Sequence, residues 1–366
     1  MSDDRSEGMT LAELQRSGVT GRVVGPADQR VLGVQHDSRS VKPGDLFVAV
    51  PGATHDGARF VADAIDRGAA AAVVETPCEG APSQLVVADA RLALGQVAEL
   101  VYGKPTEAMP TVGITGTNGK TTTAYLLARA IEGTAGRPAV VGTTGLTVGG
   151  EEHVASHTTP EGDDISRFAR QAMDGGATHL VLEVSSHGLA MRRVDALTFE
   201  VAAFTNLSRD HLDFHGSFAA YGEAKARLFK DLKPNRAVVH VDDPFGADLA
   251  IGASMPVVRC SRKDPDAEIF AASSSVTRAG IEATVVTPRG RFALKSPMLG
   301  EHNLENLLVA LGCVYALDLP LGPAIAAWRD APGSPGRLER VAHPRDVAVL
   351  VDYAHTPDAL RRVLQT

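Results

Sequence analysis

The chain has 366 residues, 44% of them hydrophobic and 22% charged, with a formal net charge of −8. The length suggests two or three domains and the composition is that of an ordinary globular protein. An acidic balance with no basic tract and few aromatics excludes a general nucleic-acid binder, and no apolar run approaches a membrane span.

Residues 1–108 read as a small α/β domain. DLFVAVPG is a strand and turn, ARFVADAIDRGAAAAVVE a helix closing on Gly68 and running into a strand, and QLVVADARLALGQVAELVYG a second strand and helix. GKPTEAMP, with two prolines, reads as a linker. From residue 109 to 333 the alternation enlarges. PTVGIT is a buried-type strand, KTTTAYLLARAIEG a helix and PAVVGTTG a strand. ISRFARQAMDGGATHLVLEVSSH gives helix then strand, EVAAFTNL a strand, SFAAYGEAKARLFKDL a helix and NRAVVHVDD a strand. Strands alternating with helices predict a mostly parallel sheet covered on both faces. Residues 265–295 break the pattern and read as antiparallel strands, before GEHNLENLLVALGCVYALDL returns to helix. DAPGSPGRLER marks a second boundary. Residues 334–366 supply one strand, a loop and a helix, too little for a core, and are expected to open a third, Rossmann-like domain continuing past Thr366. MSDDRSEGMT is too acidic for a secretory signal, and Cys78, Cys260 and Cys313 are too few and too far apart for a disulfide framework. Both features fit a reducing cytoplasm.

TVGITGTNGKTTTAYLLARAI, residues 111–131, has the strand–loop–helix order of a phosphate-binding loop but not its usual spacing: Ile114 stands where the first glycine is expected. Gly116 and Gly119 let Gly116–Thr117–Asn118–Gly119 turn its N–H groups inward, and the helix beginning near Lys120 points its positive end at the same place. Lys120 can reach terminal phosphate oxygens and Thr121 can ligate Mg²⁺, with Thr122 following.

Two further clusters follow apolar strands. In LVLEVSSHGLAMRRV, Glu183 sits at a strand end, the edge where α/β sheets hold ligands, and is to be paired, capped or bound to metal. The adjacent Ser185, Ser186 and His187 have no glycine elbow and do not suggest a serine triad. In FTNLSRDHLDFHG, Asp210, His211, Asp213 and His215 offer several metal ligands, and spacing does not choose among them. Lys225, in YGEAKARLF, reads on pattern alone as a snorkelling surface lysine.

Taken in order, these clusters resemble the Mur ligase family, whose phosphate loop has the form TGT-x-GK-T. The off-pattern spacing is thus the family's own. HDSRSVKPGDLFVAVPG with DGARF, HTTPEG, EVSSHGLAMRRV and FTNLSRDHLDFHG resemble the branch that adds the third peptide residue to UDP-N-acetylmuramoyl-L-alanyl-D-glutamate. GEHNLENLLVA, GRLER and VDYAHTPDAL extend the likeness along the chain. The resemblance implies an ATP-dependent peptide ligase of peptidoglycan synthesis, cytoplasmic and monomeric, using two Mg²⁺ ions and a diamino acid, meso-diaminopimelate by default. It implies that Lys120 binds the ATP phosphates, that Thr121 and Glu183 hold one Mg²⁺, and that Glu183, His211 and Lys225 hold another, with Lys225 carbamylated by CO2. Asn303 and Asn306 are implied near the adenine, with Arg337, Asp352, Tyr353 and His355 closing over ATP. Ser38 and the turn Ala53–Thr54–His55 would face the uridine nucleotide, and Thr158, Thr159, Ser185 and Arg193 the muramoyl dipeptide. Met191 stands where the family often has glutamine, so one substrate contact differs. The recognition stretch for the incoming amino acid is expected beyond Thr366. A folylpolyglutamate synthase would share the nucleotide domain, but DSRSVKPGDLF argues against one. A non-catalytic binder of UDP-sugar or ATP is the other reading.

Overall fold

The computed structural model describes residues 8–52, 56–148, 151–153, 157–342, 349–355 and 357–364. The chain divides into two compact units. The first comprises residues 1–108 with two short segments, 160–171 and 191–197, and the second takes in the remainder. Residues 334–366, expected to open a third domain, group with the second unit.

In the first unit the strands β1 (Arg22–Val24), β2 (Gly33–Gln35), β3 (Asp45–Val48), β4 (Ala71–Val74) and β5 (Gln84–Val86) form a sheet in the order β1-β5-β4-β3-β2. Its neighbours run parallel except at β1. The period-two alternation of strand side chains sorts it into two cores. Leu46, Val48, Ala71 and Val73 face helix α1 (Ala90–Val101) through Leu94, Val97 and Ala98. Phe47, Ala72 and Val74 face the short helix Val61–Asp66 on the other side. Asp89 caps α1 by accepting the Leu92 N–H (2.9 Å).

The second unit holds an 11-stranded sheet. In chain order its strands are β6 (Thr111–Thr115), β7 (Pro138–Gly142), β8 (Gly145–Val148), β9 (Glu151–His153), β10 (His179–Glu183), β11 (Val201–Phe204), β12 (Arg236–His240), β13 (Val257–Ser261), β14 (Ile269–Thr277), β15 (Gly280–Thr287) and β16 (Gly290–Ser296). Their spatial order is β9-β8-β7-β10-β6-β11-β12-β13-β14-β15-β16. The run from β7 to β14 is parallel, which is why β6, β10 and β11 read as near-continuous apolar stretches. The antiparallel strands expected at 265–295 extend this same sheet as β14, β15 and β16. Helices α2 (Lys120–Gly133) and, later in the chain, Glu301–Ala316 bury Leu126, Leu127, Leu307 and Leu311 over it. Trp328 is fully buried, its indole N–H donating to the Leu126 carbonyl (2.8 Å). Towards the chain's end β17 (Glu339–Val341) pairs antiparallel with β18 (Val349–Val351), followed by the helix Pro357–Leu364. Among the described residues no helix is long and apolar enough to cross a membrane, and all three cysteines are free thiols.

Candidate nucleotide and ligation site

The site forms where the parallel strands end. After β6 the chain turns through Gly116–Gly119 into α2, whose first N–H groups have no partner within the helix. Gly119 adopts φ +87°, and a Cβ there would lie 2.3 Å from Asn306 Oδ1, so any other residue is strained at this turn. The segment after β11 braces this loop. Asn206 accepts from the Thr117 N–H through its carbonyl (2.8 Å) and from the Asn118 N–H through its side chain (3.1 Å). The Thr205 hydroxyl donates to the Asn118 carbonyl (2.6 Å). The turn is thus fixed by Asn206 and Thr205, and the backbone donors it presents to a phosphate are those at the start of α2.

Two lysines converge on it. Lys120 Nζ donates to the Gly116 and Thr117 carbonyls (2.9 and 3.0 Å), and Lys225 Nζ donates to the same Gly116 oxygen (2.8 Å). Lys225 is 1% exposed, lying on helix α6 of the chain (Phe218–Lys230, after α3 Gly162–Asp174, α4 Ser186–Ala190 and α5 Leu212–His215). The surface position read from pattern is thus corrected: α6 buries Tyr221, Ala224, Lys225, Ala226, Leu228 and Phe229 together, leaving little of a solvent face there. Burial, and then the neighbouring Lys120 charge, hold the Lys225 amine well below the ordinary lysine range. Burial also lowers Lys120, partly offset by Glu183.

Glu183, 1% exposed, ends β10. Its carboxylate accepts from the Thr121 hydroxyl (2.8 Å), the Thr143 N–H (2.8 Å) and the Thr143 hydroxyl (3.2 Å). A Cβ at Gly142 would sit 2.1 Å from Glu183 Oε1, so β7 makes room for that carboxylate with a glycine. Thr159 donates to the Glu183 carbonyl (2.8 Å) and accepts from the Ser185 N–H (2.9 Å), while the Thr158 and Thr143 hydroxyls lie 3.2 Å apart. Ser185 Oγ accepts from the Gly188 N–H (3.0 Å), which occupies it in a helix turn, not in a triad.

A cavity of about 300 Å³ opens over this ground. Gly119, Lys120, Thr121 and Thr122 form its floor, with Thr117 and Asn118, and Thr158, Ser185 and His211 also line it. Asn303, Asn306, Arg337, Asp352, Tyr353 and His355, read in sequence as an ATP-facing group, also line it, as does Asp210. Asn306 Nδ2 donates to Asn303 Oδ1 (3.0 Å) and Asn303 Nδ2 to the Leu299 carbonyl (2.7 Å), bonds made within the helix and to the segment just before it. Arg337 lies 4.9 Å from the Tyr353 ring centroid, and Asp352 accepts from the Leu338 and Ala354 N–H groups. Glu183 and Lys225 do not line the cavity themselves: Glu183 is bonded to its lining residues Thr121 and Thr143, and Lys225 to Gly116, the residue before Thr117. His211 takes a left-handed backbone (φ 51°), and its ring packs edge-on to His187 at 4.8 Å.

Thr143, Asn206 and His302 also line the cavity and were not singled out from the sequence. Thr143 and Asn206 each follow a parallel strand at its C-terminal end, the general position of ligand sites in such sheets, and that signal could have found them.

Other expected residues stand elsewhere. Ser38 is buried in the first unit and hydrogen-bonded to Asp63. Arg193 falls in the first unit, its Nε donating to Glu161 (3.0 Å), whereas Thr158, Thr159 and Ser185 are in the second. Ala53, Thr54 and His55 lie outside the described residues. Met191 belongs to the first unit. Among the described residues, the one His/Cys/Asp/Glu group spaced for a metal is His36, Asp163 and Asp164, in the first unit.

Residues 114–314 match the Mur ligase middle domain, and residues 30–102 the catalytic domain of the Mur ligase family. A Geobacter metallireducens protein named UDP-N-acetylmuramoyl-L-alanyl-D-glutamate–2,6-diaminopimelate ligase is 45% identical over 98% of this chain and 72% of its own length. Its Geobacter sulfurreducens namesake is 44% identical with the same coverage. A solved structure titled as that ligase superposes with a TM-score of 0.82 at 32% identity, over 98% of this chain and 74% of the other. With matched domains spanning both units and relatives this similar, the chain belongs to the Mur ligase family.

Proposed function

We propose that this chain ligates a diamino acid, meso-diaminopimelate by default, to the D-glutamate of UDP-N-acetylmuramoyl-L-alanyl-D-glutamate, as a cytoplasmic monomer using ATP. The observation that carries the proposal is the braced Gly116–Gly119 loop, with Lys120 on it and the Thr121 hydroxyl bonded to the buried Glu183. The names of the 45% and 44% identical relatives support the same substrate and amine.

In this reading the γ-carboxylate of D-glutamate attacks the γ-phosphorus of ATP, ADP leaves, and an acyl phosphate forms. The amine attacks the acyl carbon, phosphate departs and the amine loses a proton, leaving the amide. Lys120 and the N–H groups that open α2 neutralise charge on the transferred phosphoryl group. A carboxylate and a phosphate repel each other, so the cavity needs further cations. Thr121 and Glu183 suit Mg²⁺, since both present hard oxygens and the hydrogen bonds Glu183 accepts come from hydroxyl and amide groups. Two bound Mg²⁺ ions would supply charge neutralisation between the substrates. Lys225 as an ammonium cannot ligate a metal. Burial and the Lys120 charge lower it well below the ordinary lysine range, which favours the neutral amine; that amine would add to CO2, releasing a proton and leaving a carboxylate-like carbamate. That carbamate, with Glu183 and His211, would hold the second ion. Thr158, Thr159, Ser185 and Arg193 would orient the muramoyl dipeptide, Ser38 and the turn 53–55 the uridine, and Asn303, Asn306, Arg337, Asp352, Tyr353 and His355 the rest of ATP.

The test incubates the protein with ATP, Mg²⁺, UDP-muramoyl dipeptide and either meso-diaminopimelate or L-lysine, and follows product by mass spectrometry. A product heavier by one diaminopimelate residue, absent without ATP, is expected. ATP binding without product under any amine would leave only a binder and overturn the proposal.

A further inference from the structure

We propose that Tyr221 is a positioning residue of the nucleotide site, a single side chain that fixes both the phosphate loop and the Lys225 amine. The inference rests on the reading of Gly116–Thr122 as a phosphate site. Tyr221 lies in the first turn of α6 and is 1% exposed. Its hydroxyl is 3.0 Å from Thr117 Oγ1. Thr117 Oγ1 also accepts from the Ser208 N–H (3.0 Å) and donates to the Ser208 carbonyl (3.2 Å), which leaves the phenol as the donor. The face of the same ring lies 4.5 Å from Lys225 Nζ, and that amine bonds the Gly116 carbonyl. Hydroxyl and ring thus act on adjacent loop residues, Thr117 directly and Gly116 through Lys225.

A tyrosine buried only for packing would take any nearby backbone acceptor for its hydroxyl. Here the hydroxyl's partner and the amine over the ring face both belong to the proposed site. Without the hydroxyl, Thr117 loses one of its partners and the loop must be ordered when nucleotide binds. That cost falls equally on ground and transition states, so it appears in nucleotide affinity and not in turnover.

The experiment is calorimetric titration of the full chain with ADP for wild type, Tyr221→Phe, Thr117→Val and the double variant, with UDP-muramoyl dipeptide as a second titrant. Loss of one buried hydrogen bond predicts that Tyr221→Phe weakens ADP roughly 3- to 10-fold. In the Thr117→Val background the same substitution should change affinity less than about 1.5-fold, since its partner is gone. Where ligation is measured, KM for ATP rises while kcat moves less than about twofold. The inference is overturned if Tyr221→Phe binds ADP as wild type does, if the loss is the same in both backgrounds, or if both titrants weaken equally. Wild-type protein that does not bind ADP overturns the nucleotide-site reading itself and this inference with it.

Discussion

His36 Nδ1 lies 2.9 Å from both carboxylate oxygens of the fully buried Asp163, and the His36 N–H donates to the same group (3.2 Å). Burial alone would push the imidazolium down. The hydrogen bond to Asp163 and the charges of Asp163, Asp164 and Glu161 outweigh it and hold His36 at about 9, against an ordinary 6.5. Because the folded value is raised, the proton stabilises the fold fully below pH 6.5, and that stabilisation drains away as pH rises from there through about 9. The gap corresponds to ~3 kcal/mol. The imidazole is 30% exposed, and solvent screening reduces the expected contribution to ~2 kcal/mol. The assay is NMR titration of the histidine Cε1 signals, with His36 identified by its absence in His36→Gln. Its signal should titrate near 9, and the thermal midpoint of wild type should fall more between pH 6.5 and 9 than that of Asp163→Asn. A His36 signal titrating at or below 6.5 would refute the reasoning.

Lys120→Ala and Glu183→Ala should each lower ATP-dependent ligation by about 10³-fold or more in a phosphate-release assay; near-normal rates in either would remove the proposed roles. Gly119→Ala forces a left-handed alanine against Asn306, at a cost of ~1–3 kcal/mol, and should weaken ADP binding at least tenfold by calorimetry. Unchanged affinity would mean the loop accommodates a side chain after all. Lys225→Arg keeps a cation that does not lose its proton, so ligation should vanish, together with any ¹³C carbamate signal from labelled bicarbonate. A carbamate signal that persists in Lys225→Arg would assign the modification to another lysine.

Much of the fold was legible because its signals are local. The apolar run of β6, two glycines and a following helix mark the phosphate loop with no tertiary information, and the β–α alternation predicts the parallel sheet. Lys225 was illegible on pattern for the converse reason: nothing in YGEAKARLF shows that Lys225 lies on the enclosed side of α6 with Tyr221, Ala224 and Leu228. The His36–Asp163 pair joins residues 127 apart, a separation no spacing rule reads. The same holds for segments 160–171 and 191–197, which leave the second unit's chain to join the first. Tyr221 escaped notice because a buried tyrosine carries no sequence mark of what its hydroxyl meets.

The most direct measurement is a crystal structure with Mn²⁺ and a non-hydrolysable ATP analogue, with Mn²⁺ located by anomalous scattering. The account predicts the β- and γ-phosphates against the Gly116–Thr122 backbone and Lys120, and a Mn²⁺ peak within about 2.5 Å of Thr121 Oγ1 on the Glu183 side. Phosphates bound elsewhere, or Mn²⁺ only at the His36–Asp163–Asp164 group, would contradict it.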